Sequence, residues 1–142
     1  MEQSLVLIKP DGVLNHKIGR VIARFEAKGL EIQAMKMMWM DEKLATTHYQ
    51  EHQGKSFFDD LISYITEAPI VAMVIAGEEA IQIIRNLNGA TDPIEAKPGT
   101  IRGDFALNLD SGNIVHASDS NESAKREIDL YFDADEIYTY RD

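Results

Sequence analysis

Leu5 to Ile8 is a short apolar run that stops at Lys9-Pro10-Asp11-Gly12, which predicts a strand entering a turn. Beyond it Ile18, Val21, Ile22 and Phe25 recur at the spacing of one helix face, and Gly29 supplies the stop. From Leu30 to Met40 apolar residues partly alternate with polar ones, which predicts a second strand. Asp41 suits the cap of a helix from Glu42 to about Gln50. Ser56 suits the cap of another, whose apolar stripe is Phe58, Leu61, Ile62 and Ile65. Ile70 to Ala76 is apolar throughout and follows a proline, the pattern of a strand buried on both faces. Ala80, Ile83, Ile84 and Leu87 return to helical spacing, and Gly89 ends that helix.

Residues 89 to 112 show no period and carry two prolines and four glycines. A loop of that length inside a compact domain is usually functional. Ile114 and Val115 predict a last short strand. Asp119 or Ser120 then caps a final helix that turns Ala124, Ile128 and Tyr131 inward. Without the middle pair of helices the order is β-α-β-β-α-β, the ferredoxin-like split motif. The expected fold class is therefore α+β: an antiparallel ferredoxin-like sheet with additional helices and a long loop before the last strand. Residues 1–142 read as one domain, with no repeat, low-complexity tract or linker. That topology hosts many functions, so the chemistry must be argued from a site.

Composition narrows the classes. No apolar run approaches the roughly 20 residues that span a bilayer, so no membrane partner is expected. Met1-Glu2-Gln3 offers no basic start or cleavage site of a secretory signal, and the chain has no cysteine. Both features fit a reducing cytoplasm and exclude disulfides and thiolate metal sites. Fourteen basic and twenty-four acidic residues give a net charge of −10 and a pI near 4.8. That balance opposes nucleic-acid binding, which needs a positive footprint, and no basic helix is present to offset it. An anionic substrate would need a local cluster of Lys and Arg to overcome the global field.

Several residues could form such a site. His116 lies at the end of the predicted last strand, and a neutral imidazole nitrogen is a nucleophile near pH 7 that can accept and pass on a phosphoryl group. It would need its second nitrogen held by an acceptor. Glu127, a carboxylate on the inward stripe of the last helix and costly there unless paired, is the candidate. A satisfied structural histidine is the competing reading. Lys9 closes the first strand, where ligands of open sheets dock, or is a solvated turn lysine. Arg85 reads by itself as a surface arginine. Arg102, flanked by glycine in the long loop, suits bidentate phosphate recognition or holds the loop through Asp104. Phe57, near Leu61 and Tyr64, is an aromatic platform or an edge of the core. Met35, Met37, Met38 and Met40 read as core or interface filler. His48 and His52 lack a trusted metal pattern, and no phosphate-binding Gly-rich loop is present.

Together these residues resemble the nucleoside diphosphate kinase family across nearly the whole chain. The match is carried by Ile8-Lys9-Pro10-Asp11-Gly12-Val13, Arg24 to Gly29, His48-Tyr49, Phe57-Phe58, Pro69 to Val74, Gly89 to Pro93, Lys97 to Phe105 and Asn113 to Ser120. The last segment resembles the specific family signature N-x-x-H-G-S-D. The resemblance implies a ping-pong reaction in which a nucleoside triphosphate, typically ATP, phosphorylates His116 and a diphosphate such as GDP removes the group as GTP. It implies catalytic roles for His116, Glu127, Ser118 and Lys9. By position Lys9, Tyr49, Arg85, Thr91, Arg102 and Asn113 match phosphate and sugar ligands, and Phe57, with Leu61 beside it, matches the stacking platform for the base. Mg2+ is expected, held mainly through the nucleotide phosphates, with no protein metal ligand assigned. Relatives assemble as homo-oligomers, tetramers or hexamers built on a common dimer.

Two departures stand out. Ala117 replaces the usual glycine, which would cost on the order of 1 kcal/mol if the position required a positive φ. Asn108 to Gly112 is also about one residue longer than in relatives. The alternative class is a catalytically silent ferredoxin-like module for nucleotide sensing or protein interaction, which would lack the nucleophile or its orienting carboxylate.

Overall fold

The computed structural model describes residues 1–141. Four strands, β1 (Glu2–Ile8), β2 (Glu31–Met38), β3 (Ile70–Gly77) and β4 (Val115–Ala117), form one sheet in the order β2-β3-β1-β4. Every neighbouring pair is antiparallel. Among the described residues seven α-helices accompany them: α1 (Pro10–Leu14), α2 (Ile18–Lys28), α3 (Glu42–His48), α4 (Phe58–Thr66), α5 (Ala80–Asn88), α6 (Ile101–Phe105) and α7 (Asn121–Tyr131). This is the expected α+β ferredoxin-like sheet with additional helices.

β1 and β3 are central and apolar on both sides because both faces of the sheet are covered. Leu5, Leu7, Ala72 and Val74 pack on one face with Ala45 of α3, Ile65 of α4 and Ala124, Ile128 and Tyr131 of α7. Val6, Ile8, Met73 and Ile75 pack on the other with Val21 and Phe25 of α2, Ala80 and Ile84 of α5, and Ile101 of α6. Each side chain of this size contributes about 1.5–3 kcal/mol on burial, so alternation along β1 serves two cores at once.

Several local expectations are corrected. Lys9 to Gly12 is a helix start and not a bare turn, because Pro10 at the first helical position presets φ and needs no hydrogen bond there. Gly12 lies inside α1 for steric reasons: a Cβ would come within 2.8 Å of the Ile8 side chain and 3.1 Å of Ile114. Ser56 does not cap α4. Phe57 holds the cap position without a side-chain bond, and the Lys55 carbonyl takes the Phe58 N–H instead (3.1 Å). The predicted loop 89–112 contains α6, capped by the Thr100 hydroxyl, which accepts from Gly103 N at 3.0 Å. Five residues are too few to display a helical period. β2 ends at Met38, leaving Trp39 and Met40 outside it. Met40 is core, whereas Met35, Met37 and Trp39 are exposed along the outer strand. Asp41 and Ser120 do cap their helices, α3 and α7, a service worth about 1 kcal/mol each.

One buried carboxylate ties these layers together. Asp11 of α1 accepts from the Tyr64 hydroxyl of α4 and from the Ile114 backbone N–H (3.0 Å) just before β4. Burial and then the Asp11 charge push the Tyr64 hydroxyl to titrate far above its ordinary range. Gly112, at φ 99, passes against the Asp11 carboxyl group where a Cβ would overlap it. Replacement Asp11→Ala is expected to cost about 3 kcal/mol, since it orphans a buried hydroxyl and a buried amide. Urea unfolding checks this, and an unchanged midpoint would refute the clamp.

Candidate active site

The register Leu7↔His116 places His116 on the α7 face of the sheet, within β4, where the expectation put it at the strand's end. Its Nε2 lies 2.9 Å from Oε1 of Glu127, one of the inward residues of α7. Nε2 donates to that carboxylate, which leaves Nδ1 as the ring's unprotonated nitrogen. The Ser118 hydroxyl donates to the same Glu127 oxygen (2.9 Å) and accepts from the Leu5 backbone N–H (3.0 Å). A chain of hydrogen bonds thus runs from central β1 through Ser118 and Glu127 to the imidazole. Burial pushes the Glu127 carboxyl up, but the bonds from His116 and Ser118 outweigh it and hold the group below its ordinary value.

His48, for which the sequence offered no role, packs edge-on against His116 with ring centroids 4.7 Å apart. It is buried, and its Nδ1 pairs with the Tyr131 hydroxyl at 3.0 Å. Burial first, then the neighbouring His116, lower its pKa to about 3, so the ring stays neutral. Only the packing of α3 onto α7 brings His48 here. No spacing in the sequence marks it. Among the described residues, His48, His116 and Glu127 are the one group whose ligand atoms lie close enough to share an ion, within 4.8 Å. Glu127 Oε1 is already engaged by His116 Nε2 and Ser118, and His48 Nδ1 by Tyr131, so the group reads as a hydrogen-bonded relay.

His116 opens onto a cleft of about 330 Å3. Lys9, Arg85, Thr91, Arg102 and Asn113 line it, together with Arg126, which the sequence did not single out. Lys9 Nζ donates to Asn113 Oδ1 (2.8 Å), and Asn113 Nδ2 donates to the Thr91 carbonyl (3.0 Å). Arg102 is not held by Asp104, which pairs instead with Arg24 at 2.7 Å. Its guanidinium donates to three backbone carbonyls, of Asn113 (3.1 Å), Gly89 (2.9 Å) and Val115 (2.6 Å). Burial and the repulsion of Arg85 lower its pKa to about 10, which keeps it charged. Burial and the Arg102 charge lower the Lys9 ammonium to about 8. A cluster of cations has therefore been assembled in a chain of net charge −10.

Tyr49, Phe57 and Leu61 are not among the residues lining this cleft. Tyr49 is buried with its hydroxyl unpaired, and Leu61 packs in the core under α4. Phe57 is 47% exposed and reaches the cleft through His52, a lining residue whose ring lies 5.4 Å from it.

The floor is strained. Ile114, a β-branched residue, has φ 68, and the Val115 N–H to Asn113 carbonyl bond (2.7 Å) closes a three-residue turn around it. Asp11, the Lys9 backbone N–H (2.7 Å to the Ile114 carbonyl) and Arg102 hold the turn in place. Positive φ in non-glycine residues is confined to His16, Glu79 and Ile114 among the described residues, so Ala117 carries no such penalty. The longer stretch closes on itself through Ser111 N to Asn108 Oδ1 (2.9 Å) and Gly112 N to the Leu109 carbonyl (3.0 Å).

Comparison with known proteins agrees with this geometry. The family model described as nucleoside diphosphate kinase matches residues 2–137. The chain is 56% identical over 142 residues to a nucleoside diphosphate kinase of Pyrococcus furiosus, covering 99% of this chain and 88% of that one. It is 58% identical over 140 residues to the protein of the same name from Methanothermobacter thermautotrophicus, covering 99% and 93%. The solved structure of a halophilic nucleoside diphosphate kinase from Halobacterium salinarum, in complex with CDP, superposes with a TM-score of 0.95 at 45% identity, covering 99% and 93%.

The lowered Lys9 value has a consequence for stability. Because it lies below the 10.5 of the free side chain, the unfolded chain binds this proton more tightly. Stability is therefore penalised in full below about pH 8 and rises as pH climbs from about 8 towards 10.5. Lys9→Met should remove that rise when denaturant midpoints of the two proteins are compared across the window.

Proposed function

The chain belongs to the nucleoside diphosphate kinase family, and on that premise we propose that His116 is the group that carries the phosphoryl between nucleotides. The enzyme moves the terminal phosphate of a nucleoside triphosphate to a nucleoside diphosphate. The observation that carries the assignment is the His116 Nε2–Glu127 Oε1 contact of 2.9 Å, which leaves Nδ1 free beside a cationic cleft. In the first half-reaction Nδ1 attacks the terminal phosphorus, a P–N bond forms, and the P–O bond to the departing diphosphate breaks. In the second, a terminal oxygen of the acceptor diphosphate attacks the same phosphorus and the P–N bond breaks. Glu127, steadied by Ser118, accepts the Nε2–H throughout and stabilises the cationic ring.

Lys9, Arg85 and Arg102 fit the charge that develops on the transferring oxygens, and Thr91 and Asn113 complete the wall that meets phosphate and sugar. Phe57 offers an exposed face for the base at the rim, with Leu61 one turn on and Tyr49 buried nearby. Stacking on such a face tolerates many bases, so ATP, GTP and GDP all fit the reading.

Mg2+ is proposed as the metal. The cleft suits an ion carried in by the nucleotide, since Lys9, Arg85, Arg102 and Arg126 line it and Glu127 is committed to His116 and Ser118. Asp119, exposed at the same cleft, is the carboxylate positioned to meet it. Held there, Mg2+ would offset the negative charge of the phosphates.

A homo-oligomer, tetramer or hexamer, belongs to the same reading, with residues 1–142 acting as one domain in each subunit. Its support is the apolar surface at the outer strand β2, where Met35 and Met37, with Trp39 just beyond the strand, are 55–63% exposed. A cytoplasmic location is part of the same proposal.

Incubation with labelled ATP is expected to leave acid-labile, base-stable label on the protein, and His116→Ala should take none. Label persisting in that variant would sink the assignment. Glu127→Gln should slow labelling on the order of a hundredfold. By light scattering the protein should exceed one subunit, and Met37→Glu with Trp39→Arg should reduce its mass; a wild-type monomer would contradict the assembly.

A further inference from the structure

His48 is the last residue of α3 and is only 3% exposed. It is not among the residues lining the cleft, so any effect it has on the reaction passes through another group. Its ring is held from several directions. The Tyr131 hydroxyl pairs with Nδ1 at 3.0 Å, and the rings of Tyr131 and Tyr49 stand edge-on to it with centroids 5.7 Å and 4.6 Å away. The remaining aromatic neighbour among the described residues is the His116 imidazole, 4.7 Å away between centroids and inclined at 76°.

The torsion of His116 gives that contact its use. Rotation of an imidazole about the Cβ–Cγ bond is soft, with broad wells. Nε2 lies close to the rotation axis, so its bond to Glu127 changes little as the ring spins and restrains the spin weakly. Nδ1 lies further from the axis, and the spin decides whether it faces the cleft. A rigid group packed against the ring sets its plane directly. Building on the assignment of His116 as phosphoryl carrier, we propose that His48 is a positioning residue, a fixed wall that keeps the His116 imidazole turned with Nδ1 toward the cleft and Nε2 on Glu127. Burial keeps His48 neutral, so the wall does not repel its neighbour when that ring becomes cationic on phosphorylation.

The nitrogen that takes the label reports this orientation, and a residue that merely fills space would leave it unchanged. Phosphorus NMR of the wild-type protein labelled by ATP should show Nδ1-phosphohistidine alone. In His48→Ala single-turnover labelling should slow about tenfold, and Nε2-phosphohistidine should appear beside the Nδ1 isomer. His48→Phe keeps a flat ring but leaves the Tyr131 hydroxyl only Met40 Sδ, at 3.8 Å. It should lower the melting temperature and still keep the label on Nδ1. If His48→Ala does not fold, His48→Leu, which refills volume without a flat face, carries the same test. Label confined to Nδ1 in the variant without a ring would overturn the proposal, and so would Nε2 label in His48→Phe. The assignment of His116 fails separately, by label surviving in His116→Ala.

Discussion

The cleft depends on the buried carboxylate of Asp11. By accepting from Tyr64 on one side and the Ile114 amide on the other, it holds α1 and α4 to the strained turn that enters β4. That turn sets where Asn113 faces and where His116 enters the sheet. The same turn receives Lys9 from the end of β1, through the backbone bond to Ile114 and the side-chain bond to Asn113. Strain of this kind persists only where surrounding contacts over-determine it, and here three independent bonds do so. Loosening any one of them would move the nucleophile and Lys9 together.

The second constraint is electrostatic. A chain with net charge −10 repels polyphosphate at a distance, yet it holds Lys9, Arg85, Arg102 and Arg126 around one cleft. Arg102 illustrates how that is sustained. Three backbone carbonyls clasp its guanidinium, so no carboxylate neutralises it, and the charge stays directed at the cleft. Three carboxylates near it are assigned elsewhere: Asp104 to Arg24, Glu127 to His116 and Ser118, Asp11 to Tyr64 and Ile114. Local geometry therefore reverses the sign of the global field where phosphate arrives. Electrostatic cost is concentrated in Lys9 and Arg102, the two cations whose pKa values burial lowers.

Much of the fold was legible because its signals are local. The apolar run Ile70–Ala76, the stripes of α2 and α7, and the caps at Asp41 and Ser120 are written in neighbouring residues, and the structure follows them. The sequence misled where a local signal had a competitor. Ser56 has capping chemistry, but the Lys55 carbonyl took the amide first. Lys9 to Gly12 has turn composition, but Pro10 also starts helices, and α6 was too short to repeat a period. The Ala117 departure was harmless because the positive φ of this segment falls on Ile114.

Residue types and order alone thus determined the ferredoxin-like arrangement, the family, and the identity of most groups around the cleft, since family motifs and binary patterning are properties of the chain. Tertiary structure decided what those groups touch. It paired Asp104 with Arg24 and left Arg102 to the backbone; it set His48 against His116, Arg126 beside Glu127, and Asn88 unpaired at the cleft wall. The reason is physical: such contacts join residues far apart in the chain, and their geometry depends on how helices pack on the sheet, which no spacing along the sequence encodes.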